Sequence, residues 1–283
     1  FWIRCAWEGT SAFASAGYDS SWGTGNCASP RQPPPSPPSP PGIFTSTAPL
    51  KTAVQAYNDD AESAVATYGP IAEWDVSAVF DMSYLFQNLR NFNTNISSWG
   101  TSGVTDMRNM FENAHAFNQP LDLDTSSVTN MNTMFQYAVA FNQPLNFDTS
   151  SVTNMDAMFS LAARFNQPLS LNTSSVTTMI GMFHYAAVFN QPLSFDTSKV
   201  TKMLYMFRYA AAFNQPLSFD TSRVTSMTYM FRYAAAFNQP LSFDTSSVTA
   251  MPGIFFGATA LSDANKFWIR CAWEGTSAFA SAG

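Results

Sequence analysis

Residues 141–159 read FNQPLNFDTSSVTNMDAMF, and most of the chain between residues 74 and 261 consists of variants of this stretch. The five letters FNQPL recur at a fixed step of 24 residues, beginning at Phe117, Phe141, Phe165, Phe189, Phe213 and Phe237. A period of this length is typical of a solenoid, in which each coil buries its apolar face only against its neighbours. The sequence therefore predicts a repeat scaffold.

Each coil is marked by a Val that is followed three residues later by a Met. These pairs begin at residues 79, 104, 128, 152, 176, 200, 224 and 248, so we expect eight coils. The alternation of Leu145 and Phe147 with polar residues predicts a short strand, and we expect a second strand at Val-Thr-x-Met. Spacings of three and four among Met155, Met158 and Phe159 predict a helical or 3₁₀ turn between the strands. The fold class expected from these patterns is an α/β repeat.

The composition limits the partners that we expect. Of the 283 residues, 46% are apolar and only 11% are charged, and the net charge is -6. A nucleic-acid partner is not expected, because phosphate binding needs clustered Lys and Arg. No apolar run approaches the roughly 20 residues that span a bilayer, so we expect no membrane span in this segment.

Changes in composition divide the chain into five segments. The stretch PRQPPPSPPSPPG predicts a semi-rigid polyproline II linker. We expect helices over about residues 49–57 and 61–68, with Thr47 as the N-cap of the first, and a C-terminal helix from the N-cap Ser262 to about Trp273. The five segments are the C-terminal cap of a preceding module (1–29), the linker (30–42), an N-terminal helical cap (43–73), the coils (74–261) and a truncated C-terminal cap (262–283).

The two ends of the chain are copies of each other. Residues 1–17 and 267–283 both read FWIRCAWEGTSAFASAG, so we expect one period of a longer tandem polypeptide. Cys5 and Cys27 form the expected disulfide, which would be worth about 3 kcal/mol; three unrelated buried thiols are the alternative. Cys271 would then pair with a cysteine beyond the sequence. A structural disulfide is typical of an extracellular protein.

Residues 237–249, FNQPLSFDTSSVT, and their other copies resemble the BspA-type leucine-rich-repeat surface proteins, a family also described from mycoplasma lipoproteins. The similarity covers about residues 71–261. The flanking stretches LKTAVQAYNDD, YGPIAEWDVS and LSDANKFWIRCAWEGTSAFASAG look like caps of such modules in unicellular algae. The resemblance implies a leucine-rich-repeat-like right-handed solenoid at a cell surface or in secreted material, with no catalytic residues to carry over.

The Ser-Pro-Pro linker is similar to the hydroxyproline-rich glycoproteins of algal and plant walls. That resemblance implies hydroxylation and O-glycosylation of Pro33, Pro34, Pro35, Pro37, Pro38, Pro40 and Pro41. The sequons at Asn95 and Asn172 predict N-glycosylation if the chain is secreted.

Several polar residues recur once in every coil. One asparagine per coil is expected to form a structural ladder, with a ligand-binding array as the alternative: Asn118, Asn142, Asn166, Asn190, Asn214 and Asn238. One aspartate per coil is expected to cap a turn, with calcium binding as the alternative: Asp124, Asp148, Asp196, Asp220 and Asp244. Two threonine columns begin at Thr125 and Thr129. A flat lattice of hydroxyls would suit ice or polysaccharide, but neither ligand is expected because these threonines neighbour turns.

We expect neither an enzyme nor a cofactor. His115 and His184 are isolated, with no nucleophile or carboxylate placed by a motif beside them. Basic residues cluster in the late coils, either as a patch for acidic partners or as a solvated face: Lys199, Lys202, Arg208, Arg223 and Arg232.

The expected function is structural: tandem modules that form or coat an extracellular filament, flagellar hair, wall or matrix, with other copies of the protein as partners. The alternative is a surface module for adhesion or recognition that binds glycan or protein through one face. A recognition module should vary its exposed residues along one face while its core stays constant. The coils at Met203 and Met227 are nearly identical, which favours the structural role.

Overall fold

The computed structural model describes residues 42–280, which lie in one compact unit, Pro40–Gly283. The predicted cap of residues 1–29, the Cys5–Cys27 disulfide and all but the last residue of the proline-rich linker lie outside the described residues. The modification sites expected on the linker prolines lie outside them as well.

Helices occur before and after the repeats. They are α1 (Thr47–Asp59), α2 (Ala61–Tyr68), a 3₁₀ turn (Ile71–Glu73), α3 (Asp263–Trp273) and α4 (Ser277–Ala280). Helix α3 begins after Ser262, whose hydroxyl accepts the backbone N–H of Asn265 at 3.3 Å. The bounds predicted for α2 and α3 are confirmed. Helix α1 is longer than predicted, and Thr47 lies inside it instead of capping it.

The predicted fold class, an α/β leucine-rich-repeat-like right-handed solenoid, is wrong. Residues 42–280 contain few helices and no β-strand or sheet. The β-type pairing between successive repeats is limited to isolated parallel bridges, which join these residues in turn: Asp81, Asp106, Asn130, Asn154, Thr178, Lys202, Ser226 and Ala250. A shorter second series joins Leu121, Leu145 and Leu169. Eight repeats therefore stack, as their number in the sequence predicts, but without forming a sheet.

The strands are absent because the chain turns directly after each bridge. The Oδ1 atom of Asn130 accepts the backbone N–H of Asn132 at 3.0 Å. Thr133 and Tyr137 then have φ angles of 53° and 57°, in the left-handed region. Left-handed residues four positions apart interrupt both an α-helix and a strand. The spacing of three and four in the sequence therefore marks a series of turns.

Backbone hydrogen bonds in these turns alternate between two kinds of partner. The N–H of Met134 donates to the carbonyl of Met131 in the same repeat, at 3.2 Å. The N–H of Phe135 donates to the carbonyl of Met158 in the next repeat, at 2.9 Å. Each repeat thus satisfies its polar backbone partly by itself and partly through its neighbour, which explains how a stack without strands holds together.

Two interlocking columns of phenylalanine rings run through the core, packed among buried Val, Met, Leu and Ala side chains. Phe135 stacks on Phe159 of the next repeat with ring centroids 5.7 Å apart, and Phe141 stacks on Phe165 at 6.0 Å. Within one repeat, Phe135 and Phe141 are 4.2 Å apart. All of these rings are fully buried. Burial of each ring contributes about 1.5–3 kcal/mol, so repeated apolar side chains are the main source of stability.

Aromatic side chains cover both ends of the stack. At the first repeat, Trp74 stacks on Trp99 at 6.2 Å, and the Trp99 indole N–H donates to the carbonyl of Ile71 at 2.8 Å. At the last repeat, Trp273 of α3 is fully buried against Phe255, with centroids 5.8 Å apart. The helices therefore shield core rings that terminal repeats would otherwise expose to water.

A candidate binding face

The turn after each Val-Thr-x-Met segment contains the positions at which the repeats differ most. The second residues after the Met are Tyr84, Asn109, Thr133, Ala157, Gly181, Tyr205, Tyr229 and Gly253. The fifth are Gln87, Glu112, Gln136, Ser160, His184, Arg208, Arg232 and Phe256. The sixth are Asn88, Asn113, Tyr137, Leu161, Tyr185, Tyr209, Tyr233 and Gly257. The residues that alternate with these variable positions are buried in the core, and they are Met, Phe or Ala in nearly every repeat.

Stacking brings together residues that are 24 positions apart in sequence. In the fifth to seventh repeats the fifth and sixth residues after the Met are His-Tyr, Arg-Tyr and Arg-Tyr, and the second residue is Tyr in the sixth and seventh repeats. We call this surface the Tyr/Arg face. Its members are His184, Tyr185, Tyr205, Arg208, Tyr209, Tyr229, Arg232 and Tyr233. Most are half-buried, and Tyr185 is 39% exposed.

Each guanidinium of the Tyr/Arg face lies among aromatic rings. The Cζ atom of Arg208 is 5.2 Å from the ring centroid of Tyr209 and 5.7 Å from that of Tyr229. The Cζ atom of Arg232 is 4.6 Å from Tyr229 and 5.3 Å from Tyr233. These distances are within the range of cation–π attraction, which holds each planar cation in place.

The tyrosines form a stacked row beside the arginines. Ring centroids are 4.3 Å apart between Tyr185 and Tyr209, and 4.7 Å apart between Tyr209 and Tyr233. Glycine in the last repeat leaves space for this arrangement, because a Cβ on Gly257 would clash with the Tyr233 ring. The row therefore presents phenol hydroxyls next to two guanidinium groups.

A line of unpaired polar atoms follows one position of four consecutive repeats. Ser160 Oγ, His184 Nε2, Arg208 Nε and Arg232 Nε are each buried and have no hydrogen-bond partner among residues 42–280. Buried polar atoms are nearly always paired in proteins, so a run of four requires an explanation. It marks the place where the protein's own acceptors and donors are insufficient.

Charges on the Tyr/Arg face are not neutralised within the described part of the chain. Neither the Arg208 nor the Arg232 guanidinium forms an ion pair with, or donates a hydrogen bond to, a residue in the range 42–280. Burial, together with the nearby Arg208, lowers the pKa of His184 to about 4, so this imidazole is neutral at neutral pH. The face therefore has two uncompensated positive charges.

The early repeats use the same positions differently. The carboxylate of Glu112 accepts hydrogen bonds from the side-chain amides of Gln87 and Asn109, each at 2.6 Å. This network is closed, because its polar groups satisfy one another. Among the described residues, the unpaired polar atoms at this position therefore begin at Ser160 of the fourth repeat and continue into the Tyr/Arg face.

The predicted asparagine positions form a hydrogen-bonded ladder. The Oδ1 atom of Asn142 accepts the backbone N–H of Asn166 at 2.9 Å, and Asn166 does the same for Asn190. The pattern includes all six asparagines from Asn118 to Asn238, which are partly buried. The first five oxygens are occupied by backbone and glutamine donors of the next repeat, and the oxygen of Asn238 accepts from Ser262 and Asn265. A ligand array at this position is therefore not supported.

Replacement of Asn166 by Ala is expected to lower the free energy of unfolding by about 1–3 kcal/mol, since the Asn190 N–H and the Gln191 side-chain amide lose their acceptor. Asn166→Asp keeps an acceptor oxygen and is the matched control, with a smaller loss expected. Urea denaturation of the two variants measures the difference. An Asp variant as unstable as the Ala variant would contradict the role of the oxygen.

The aspartate column caps turns. After the copy of FNQPL that begins at Phe141, the Oδ1 atom of Asp148 accepts the backbone N–H of Ser150 at 3.0 Å. Asn172 caps the equivalent turn in the next repeat. Among the described residues, no three His, Cys, Asp or Glu side chains are placed to hold a metal ion. The calcium alternative therefore has no support from the geometry.

Acid is expected to destabilise the protein through these caps. Hydrogen bonds from Ser150 lower the pKa of Asp148 below its ordinary value of 3.8, so the cap stabilises the fold above that value and this contribution is lost as pH falls through the lowered pKa. Asp148→Asn keeps the acceptor without titrating. Urea midpoints between about pH 6 and about pH 2 should therefore fall less steeply for this variant than for the unmodified protein; equal slopes would show that the cap does not contribute.

The threonine columns do not form an exposed hydroxyl lattice. Thr149 is fully buried and its hydroxyl donates to the carbonyl of Asn172 in the next repeat, at 2.9 Å. Thr153 is exposed, but its hydroxyl donates to the carbonyl of Thr129 in the preceding repeat, at 3.2 Å. Both columns therefore join neighbouring repeats.

The other predicted sites remain separate from the Tyr/Arg face. Asn95 and Asn172 are exposed, and their N-glycosylation stays a prediction. Cys271 is an exposed free thiol on α3, and His115 is half-buried. The residues of the predicted basic cluster lie in three places. Lys199 and Arg223 occupy the same position of successive repeats, in a turn away from the tyrosines, and Lys202 lies at a bridge position. Only Arg208 and Arg232 lie beside the tyrosines.

The tyrosines were not predicted from the sequence as part of a site. The signal was present at the fifth and sixth residues after each Met, where His-Tyr, Arg-Tyr and Arg-Tyr occur in three consecutive repeats. Alignment of the repeats on their Met, followed by a comparison of the variable positions, would have revealed the cluster.

The constant core and the variable turns define a tandem-repeat protein with one diversified face. The chain belongs to the family described as "Mycoplasma protein of unknown function, DUF285", whose model matches residues 55–170, 122–194, 145–218 and 193–282. The expected resemblance is thereby confirmed at the level of a mycoplasma-type tandem-repeat family. No curated protein and no solved structure matches the chain. Between residues 42 and 280, no helix has the length and apolar character required to cross a membrane.

Proposed function

We propose that this protein is a recognition module that binds a macromolecular partner through the Tyr/Arg face. The observation that supports the proposal is the contrast between a constant core and a diversified turn. Met, Phe and Ala side chains recur at the buried positions, whereas the fifth residue after the Met changes from Gln or Glu to His, Arg or Phe. Selection for stacking alone would not require this variation.

Backbone strain at the tyrosines gives further support. Tyr205, Tyr209, Tyr229 and Tyr233 have φ angles between 55° and 60°, where a residue other than glycine costs roughly 1 kcal/mol or more. Glycine or asparagine occupies the equivalent positions in several other repeats, so the geometry does not require an aromatic residue. Retention of tyrosine at a strained position favours a role for the ring in binding.

A structural role in a filament, wall or matrix is the second candidate function. Its support is the identity of residues 1–17 and 267–283, which suits tandem modules, and the regular hydrogen-bond ladders between repeats. We place either function outside the cell, at a surface of the kind occupied by BspA-type proteins. We assign the protein no catalytic activity.

A binding experiment tests the recognition proposal. The purified chain and two variants are applied to an array of glycans and matrix proteins. Tyr209→Asn places a residue that tolerates the left-handed region at this position and should leave the fold intact. Arg223→Gln removes a charge from another turn. The expected result is at least one bound class that is lost with Tyr209→Asn and retained with Arg223→Gln.

The opposite results would exclude the proposal. Absence of binding to every class, or equal loss of binding in both variants, would contradict recognition through the Tyr/Arg face. Concentration-dependent self-association in analytical ultracentrifugation, together with absence of array binding, would favour the structural role.

A further inference from the structure

We infer that the ligand of the Tyr/Arg face is a linear acidic polysaccharide, bound through its carboxylate or sulfate groups. This inference rests on the proposed function and specifies the ligand's chemistry. Arg208 and Arg232 are the groups that recognise the anions, because neither guanidinium has a carboxylate or any other acceptor among residues 42–280. An oxyanion would provide the missing acceptors.

The geometry of the arginines suits oxyanions better than other ligands. Cation–π contacts with Tyr205 at 5.5 Å and Tyr229 at 4.6 Å hold the two guanidinium groups in fixed positions. Their Nε atoms are buried, but their terminal nitrogens are neither buried nor hydrogen-bonded to described residues. A planar guanidinium with free terminal donors binds carboxylate or sulfate with two parallel hydrogen bonds.

The spacing of the two arginines does not suit an extended acidic peptide. Arg208 and Arg232 occupy the same position of adjacent repeats, and Lys202 and Ser226 of those repeats form a parallel bridge. The step between bridged repeats is about 4.8 Å, whereas side chains on one side of an extended peptide recur every two residues, at about 6.7 Å. Peptide carboxylates would therefore lose register with the arginines.

The tyrosines complete a surface that suits sugars. The phenol hydroxyls of Tyr185, Tyr209 and Tyr233 lie in a row beside the guanidiniums, and hydroxyls both donate to and accept from sugar oxygens. Elsewhere the chain is acidic, with a net charge of -6, so a polyanion is repelled by most of the surface and attracted to this face.

The test is a titration of the full chain with four polymers at low and at physiological salt: polygalacturonate, dextran sulfate, neutral dextran and poly-glutamate. Binding to either acidic polysaccharide, weakened by salt, is expected, and the first two polymers distinguish carboxylate from sulfate. Arg208→Gln and Arg232→Gln should each weaken binding about tenfold, through loss of a charge-assisted contact. The charge-matched control Arg223→Gln should change it less than about twofold.

Arg208→Lys tests the fork geometry of the guanidinium. It keeps the charge but not the paired donors, so an intermediate loss of affinity is expected. Equal or tighter binding of poly-glutamate, equal binding of neutral dextran, or an equal effect of Arg223→Gln would overturn the inference. Absence of binding to both acidic polysaccharides would overturn it too. Recognition of a different ligand on the array, lost with Tyr209→Asn, would leave the proposed function standing.

Discussion

Substitution of Trp273 by Ala is expected to lower the free energy of unfolding by about 3–5 kcal/mol. The indole is fully buried at the end of the stack, 5.8 Å from the ring centroid of Phe255 and 6.4 Å from that of Phe243. Its removal opens a large cavity and exposes the last core rings to water. Urea denaturation followed by circular dichroism measures the loss.

Trp268 provides a control on the same helix, α3. Its side chain is 62% exposed, so Trp268→Ala should change the free energy of unfolding by less than about 0.5 kcal/mol. Trp273→Phe is a second comparison, because the buried Nε1 of Trp273 has no partner among residues 42–280 and phenylalanine removes that atom. We expect this variant to retain most of the stability. Similar losses for Trp273→Ala and Trp268→Ala would contradict the view that α3 seals the stack.

Substitution of Phe159 by Ala is expected to cost about 3–5 kcal/mol as well. The ring is fully buried in the middle of the stack, and its centroid lies 4.1 Å from Phe165, 5.7 Å from Phe135 and 5.8 Å from Phe183. Loss of the ring removes contacts on both sides. Since each repeat contacts only its neighbours, the damage should be greatest in the adjacent repeats.

Two measurements examine this prediction. Urea denaturation gives the total loss, and hydrogen exchange should show the largest decrease in protection around Phe135 and Phe183. Phe80→Ala is the control, because Phe80 is 62% exposed and its replacement should have little effect. Uniform loss of protection over the whole stack would show that the repeats unfold as one unit and not as coupled neighbours.

The stability variants also help to interpret the binding variants. Trp273 and Phe159 belong to the core and should affect binding only through the amount of folded protein. Arg208 and Tyr209 lie on the Tyr/Arg face and should affect binding with little change in the unfolding midpoint. A matched pair of experiments therefore separates the scaffold from the surface that it presents.

The sequence by itself predicted the features that depend on the 24-residue period. Repetition identifies the buried residues, such as Val152 and Met155, because a side chain that packs against its own copy must recur in each repeat. It also predicts the number of repeats and the asparagine positions. The bounds of α2 and α3 were predicted as well, that of α3 from the N-cap Ser262. The structure adds that the Asp60 side chain caps α2. Gly69 ends this helix.

The tertiary structure decided the features that depend on backbone conformation and on contacts between repeats. The spacing of apolar residues in the sequence does not reveal that Tyr205 and Tyr209 adopt left-handed φ angles. Tyrosine does not prefer this conformation, and packing against the next repeat imposes it. For that reason the predicted strands were wrong. Stacking also placed Arg208 beside Arg232, 24 residues away. The period determined what lies in the core, and only the three-dimensional stack determined which surface residues meet.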